Sequence, residues 1–177
     1  MTVEKIIFCV GTDMAEIIKY YIWGIPGAFL AAGAVRFSGR IRGRKLIWLF
    51  LLLVYLAGTA QVVFFSRAPG SRTGADLAVL STWGAGAQAK AYVIENVLLF
   101  IPPGIFLPMI WKSMKNPLGC VTAGAACSVL VEVLQYAAQR GYCQTDDVIA
   151  NTLGIFLGWS VQSAVCSIIR KRKRRAF

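Results

Sequence analysis

Apolar residues run along this chain in five long tracts, at about 17–35, 46–65, 93–110, 118–138 and 148–169. Each approaches the roughly 20 residues a helix needs to cross a hydrocarbon core. The pattern predicts an all-α protein, a polytopic transmembrane bundle of about five spanning helices forming one membrane domain over 1–177. The opening stretch MTVEKIIFCVGTDMAE holds an apolar core of only about six residues before its acids, too little for a cleavable signal peptide. Residues 1–16 are therefore expected to form a short interfacial helix. Pro102 and Pro103, mid-way along the third tract, are expected to break or kink that helix because proline removes a helical donor. Gly24, Pro26 and Gly27 suggest a bend in the first.

Charge orients the bundle. Basic residues gather in three places: Arg36, Arg40, Arg42, Arg44 and Lys45 after the first tract, Lys112 and Lys115 after the third, and RKRKRR after the fifth. Basic loops stay on the cytoplasmic side, which predicts the N-terminus outside, the C-terminus inside and a basic cytoplasmic tail at 170–177. Six of the eight acids, Glu4, Asp13, Glu16, Asp76, Asp146 and Asp147, then fall outside. The tail reads as a topology signal rather than as a specific anionic-lipid or nucleic-acid site. The segment 66–92, with APGSRTGAD and STWGAGAQ, is expected to be an outer, turn-rich loop with Trp83 at the membrane interface.

Composition supports this reading. The 177 residues are 57% hydrophobic and 15% charged, with a mean hydropathy of +0.62, far from the balance of a soluble domain. The net charge of +11 would suit nucleic acid, but the cations lie in short tracts between apolar runs, so no nucleic-acid partner is expected. Five cysteines form no CxxC pair and histidine is absent, so neither a zinc site nor a histidine base is expected. A disulfide between Cys9 and Cys143 has no support from spacing.

Charge inside a bilayer costs a few kcal/mol per residue on insertion scales, which singles out Glu95 and Glu132. Glu95 and Asn96 are expected in the first outer turn of the third span. Glu132 falls roughly 9 Å below the outer end of the fourth, with Gln135 and Tyr136 expected to flank it. The fifth span opens on Thr145, Asp146 and Asp147, of which Thr145 or Asp146 is expected to be an N-cap and Asp147 a first-turn acid. Asn151, Gly154 and Gly158 continue the Asp147 face, a small-residue stripe suited to close helix approach. Gln61 and Arg67 close the second span at a matching depth. Each has a plain reading as cap, packing contact or border arginine, or as part of an ion-pair network of Glu132 with Arg67 or Arg140. Together they place polar groups from four spans in the outer third of the membrane.

The pieces FFSR at 64–67, ENVLLFIPPG at 95–104, EVLQ at 132–135 and DDVIANTLGIFLG at 146–158 resemble, in this order, the VanZ-like family of bacterial membrane proteins linked to teicoplanin resistance. Three features depart from the family pattern: Pro103 stands where an aromatic is common, Gln144 where an Asp commonly precedes the pair, and the loop Arg is displaced, with Arg140 followed by Gly141. The resemblance implies Arg67, Asn96, Glu132, Gln135, Asp147 and Asn151 as functional positions and connects the chain to glycopeptide antibiotics.

The favoured expectation is a protein of the bacterial plasma membrane whose outer-leaflet polar pocket binds an amphiphile. A lipid-linked cell-wall intermediate or a lipoglycopeptide would suit, with Arg67, Glu95, Asn96, Glu132, Gln135, Asp146, Asp147 and Asn151 as ligand-binding residues and no cofactor. Two alternatives stay open. One is a membrane enzyme in which Glu132, Asp146 and Asp147 hold a divalent cation or act as acid and base. The other is a small transporter using Glu132 as a proton-coupled carboxylate.

Overall fold

Backbone donors and acceptors in a bilayer must be satisfied within the chain, and helices do this locally. The computed structural model describes residues 3–39, 41–65, 68–70, 74–84 and 86–176, with backbone alone over 14–20 and at 23, 65 and 84. Its helices are α1 (Val3–Phe37), α2 (Arg44–Ala60), α3 (Ser81–Gly84), α4 (Ala87–Ile110), α5 (Pro117–Ala137) and α6 (Thr145–Arg175). A π-helical turn, Gln61–Phe65, prolongs α2, and a 3-10 turn, Ser113–Lys115, joins α4 to α5. Two short strands, β1 (Ala75–Asp76) and β2 (Cys143–Gln144), pair in parallel with Ala75 opposite Cys143.

Among the described residues four helices are long and apolar enough to cross a membrane, Arg44–Phe64, Ala87–Ile110, Pro117–Ala137 and Thr145–Arg175, with a shorter apolar stretch, Gly24–Phe37, in α1. No more than 28% of any spanning window is buried inside the protein. Leu30, Leu118, Leu130 and Val161 are among the large apolar side chains left facing outward, as lipid-facing positions require. The chain is a multi-pass, all-α membrane protein.

Aromatic pairs set α1 against α2 in antiparallel fashion, Tyr21 on Tyr55 at 5.2 Å and Phe29 on Phe50 at 5.4 Å between ring centres. Trp48 lies against Phe106 and Tyr55 reaches Leu99, so α2 also opposes α4. In contrast α4 and α6 run parallel and approach until backbones touch. A Cβ on Gly154 would collide with the Val97 carbonyl, and one on Gly158 with that of Ile101. This is the small-residue approach expected of the stripe. On the other side of α6, Ile155 packs on Gly124 of α5.

The alternation gives the bundle two ends. One gathers the starts of α1, α4 and α6 with the segment holding β1 and α3. The other gathers the starts of α2 and α5 with the basic end of α6.

Two elements differ from the sequence expectation. Helix α1 is continuous across the border expected near residue 16, because Thr12 returns its hydroxyl to the Phe8 and Cys9 carbonyls at 3.1 and 2.9 Å and stays satisfied inside the helix. Helix α4 starts six residues before 93, and Glu95 lies in its third turn rather than its first. The break expected at Pro102 and Pro103 is absent: α4 is helical from Ala87 to Ile110. Pro103 cannot donate to the Leu99 carbonyl, but the Tyr55 hydroxyl donates to it at 2.6 Å, the kind of substitute partner that makes proline tolerable in membrane helices. All five cysteines are free thiols.

Candidate functional site

The α5–α6 seam carries buried polar residues in successive turns. Ser128 and Asn151 meet across it, the Asn151 amide donating to the Ser128 hydroxyl at 2.8 Å; they are 0% and 3% exposed. One turn nearer the loop end, Glu132 is 3% exposed and accepts the Gln144 backbone N–H on Oε2 at 3.0 Å. Helical repeat places Asp147 on α6 at this same level, one turn above Asn151, and it is not free of partners. Within this column one atom stands out: Asn151 Oδ1 is buried and has no hydrogen-bond partner among the described residues. A polar oxygen so placed costs on the order of 1–3 kcal/mol unless something donates to it.

The same end is tied to α2 through its π-helical turn. A π turn disturbs the regular carbonyl ladder and is often found at functional sites; here two of its carbonyls are met by side chains. Gln135 Nε2 donates to Val63 O at 3.3 Å, and Arg140 Nη1 donates to Phe64 O at 2.7 Å. Arg140 follows a helix-ending turn in which Gln139 adopts φ 53° and the Arg140 N–H reaches Gln135 O at 2.9 Å, a Schellman-type closure. Arg67 lies outside the described residues.

Asp146 is a latch. Its Oδ1 accepts the Leu80 N–H at 2.6 Å and its Oδ2 the Thr82 N–H at 2.9 Å, with the Ser81 hydroxyl at 3.5 Å. The carboxylate thus caps the start of α3 from another helix, supplying what the α3 N-terminus lacks. The expected caps of α6 are corrected: the N-cap is Gln144 without a side-chain bond, Thr145 and Asp146 are already helical, and Asp147 is a first-turn acid. The Thr145 hydroxyl donates to Leu77 O at 3.3 Å instead.

The predicted residues therefore separate. Glu132, Gln135, Asp147 and Asn151 share the seam end, whereas Tyr136 is 54% exposed and turns outward. Asp146 faces the α3 segment. Glu95 lies on a different seam, within hydrogen-bonding reach of Asp13 on α1, whose carboxylate also accepts from Gln88 at 3.1 Å. Asn96 is half-buried on α4. Among the described residues no three Cys, Asp or Glu side chains gather closely enough to hold a metal ion. Trp83 is half-exposed with the Lys90 ammonium 5.5 Å from its ring centre.

A family model described as VanZ/LLP1 matches residues 46–169, more than two thirds of the chain. The chain belongs to the VanZ/LLP1 family. No curated protein and no solved structure matches it. The VanZ/LLP1 match begins two residues into α2 and ends within α6, so it contains the whole polar column, the π turn and the Asp146 latch, and leaves α1 outside. Sequence reasoning missed Ser128, although it stands one helical turn before Glu132 and thus on the same face. It also missed the π turn, for which QVVFF carries no local signature.

Proposed function

We propose that this VanZ-like membrane protein binds the polar head of an amphiphile of the bacterial envelope at the α5–α6 polar column and so contributes to glycopeptide tolerance. A lipid-linked cell-wall intermediate or a lipoglycopeptide has the required form, an acyl chain for the bilayer and a head rich in amide and hydroxyl donors. The observation that carries the reading is Asn151 Oδ1, a buried acceptor without a donor among the described residues. A ligand hydroxyl or amide would complete it, while Glu132 and Asp147 one turn nearer the loop end bind further donors. Val129, Val133, Ile149 and Leu153 on the outer faces of α5 and α6 are exposed and offer the acyl chain its contact. On the N-out orientation the column lies in the outer leaflet, where such ligands reside.

The test is Glu132→Gln and Asp147→Asn, which keep side-chain volume and remove charge. Each is expected to lower teicoplanin tolerance or lipid-intermediate binding roughly tenfold, the scale of one charged hydrogen bond, with yield and monodispersity near wild type. Loss of melting temperature and yield without a separate binding or tolerance defect would overturn the proposal and leave the column a structural network.

A further inference from the structure

At the opposite end of the bundle, α6 and the α4–α5 connection enclose a cavity of about 510 Å³ with Pro108, Met109 and Ile169 on its apolar side and Lys115 and Arg170 among its polar lining. Local bonds build this arrangement. The Trp159 indole donates to Lys115 O at 3.2 Å, pinning the 3-10 turn and its lysine beside α6. Arg170 Nε returns to Cys166 O at 3.3 Å, which holds the guanidinium stem along the helix at the cavity. Gln162, also in the lining, directs its amide to the sulfurs of Met109 and Cys166, both at 3.2 Å, and sulfur is a weak acceptor.

Two cations and an amide donor thus border a half-apolar, half-open cavity that no carboxylate lines among the described residues. The chain has no Asp or Glu between residues 96 and 131 or after 147, so the C-terminal half of α4, the start of α5 and the basic end of α6 contain no counter-charge. We infer that an anionic phospholipid supplies it, its phosphate between Lys115 and Arg170 with an oxygen accepting from Gln162, and its acyl chain along Met109 and Ile169. Guanidinium and ammonium groups both bind phosphate, the former through two parallel donors. The apolar wall favours a lipid over free phosphate, and the cytoplasmic leaflet is where anionic lipids meet basic juxtamembrane residues. The site is independent of the polar column at the other end.

Native mass spectrometry of the purified full chain with phosphatidylglycerol or phosphatidylcholine tests this. Wild type should retain phosphatidylglycerol preferentially. Lys115→Gln with Arg170→Gln should reduce that retention about thirtyfold, as the loss of two near-surface cations implies. Lys115→Arg with Arg170→Lys should preserve it. Arg172→Gln with Arg175→Gln removes the same charge from the opposite face of the tail helix and should change retention by less than about twofold, since those side chains point away from the cavity. Equal loss in the tail variant would overturn the inference in favour of diffuse attraction. So would undiminished retention in the cavity variant, or inorganic phosphate displacing phosphatidylglycerol at equal concentration, which would make a free anion the ligand.

Discussion

Glu132 and Asp146 are fourteen residues apart and both act on backbone N–H groups, but they are legible in sequence to different degrees. Glu132 stands alone in an apolar helix, where the insertion cost of a carboxylate singles it out, and it is buried as that cost requires. Its companion Gln135 follows from helical spacing. The partners of Asp146 do not, because Leu80 and Thr82 lie more than sixty residues earlier and nothing local announces the contact. Asp146→Ala should leave both N–H groups without their acceptor, at a cost of about 1–3 kcal/mol. Hydrogen exchange at the amides of Leu80 and Thr82 should then accelerate while those of α4 and α5 keep their protection; unchanged exchange at 80 and 82 would show that Asp146 does not hold this segment.

Helices were legible where apolar runs matched bilayer length, and their ends were not. AQAKAY, interrupted by Gln88 and Lys90, reads as the end of the loop, yet it forms the first turns of α4. At the double proline, where a break or a kink is expected, the helix is unbroken, and a tyrosine from α2 satisfies the carbonyl that Pro103 leaves. This account is testable as a double-mutant cycle. Tyr55→Phe in the native background should cost about 1 kcal/mol, the usual net value of a hydrogen bond. With Pro103→Ala already in place, the restored amide at 103 bonds Leu99 O and Tyr55→Phe should cost much less. Equal costs in thermal unfolding would show that the two residues are uncoupled.

For the molecule as a whole, the alternation of five helices and the segregation of charge were both visible in the order of apolar and basic tracts. The division of the polar residues between two seams was not, since the Asp13 and Glu95 contact depends on α1 running unbroken beside α4. Alternation puts Val79 and the basic end of α6 at opposite ends of the bundle. With basic residues retained inside, a topology reporter after Phe177 should be active only in the cytoplasm and one at Val79 only outside. The reverse pattern at either position would invert the orientation and move the polar column to the inner leaflet.

The Tyr55 bond to Leu99 has a historical consequence as well. Any residue but proline at 103 brings its own amide, and in that background Leu99 O does not need the Tyr55 hydroxyl. With proline there, the hydroxyl is the carbonyl's donor, and losing it costs more. The cost of each substitution thus depends on which came first, through the geometry of one hydrogen bond.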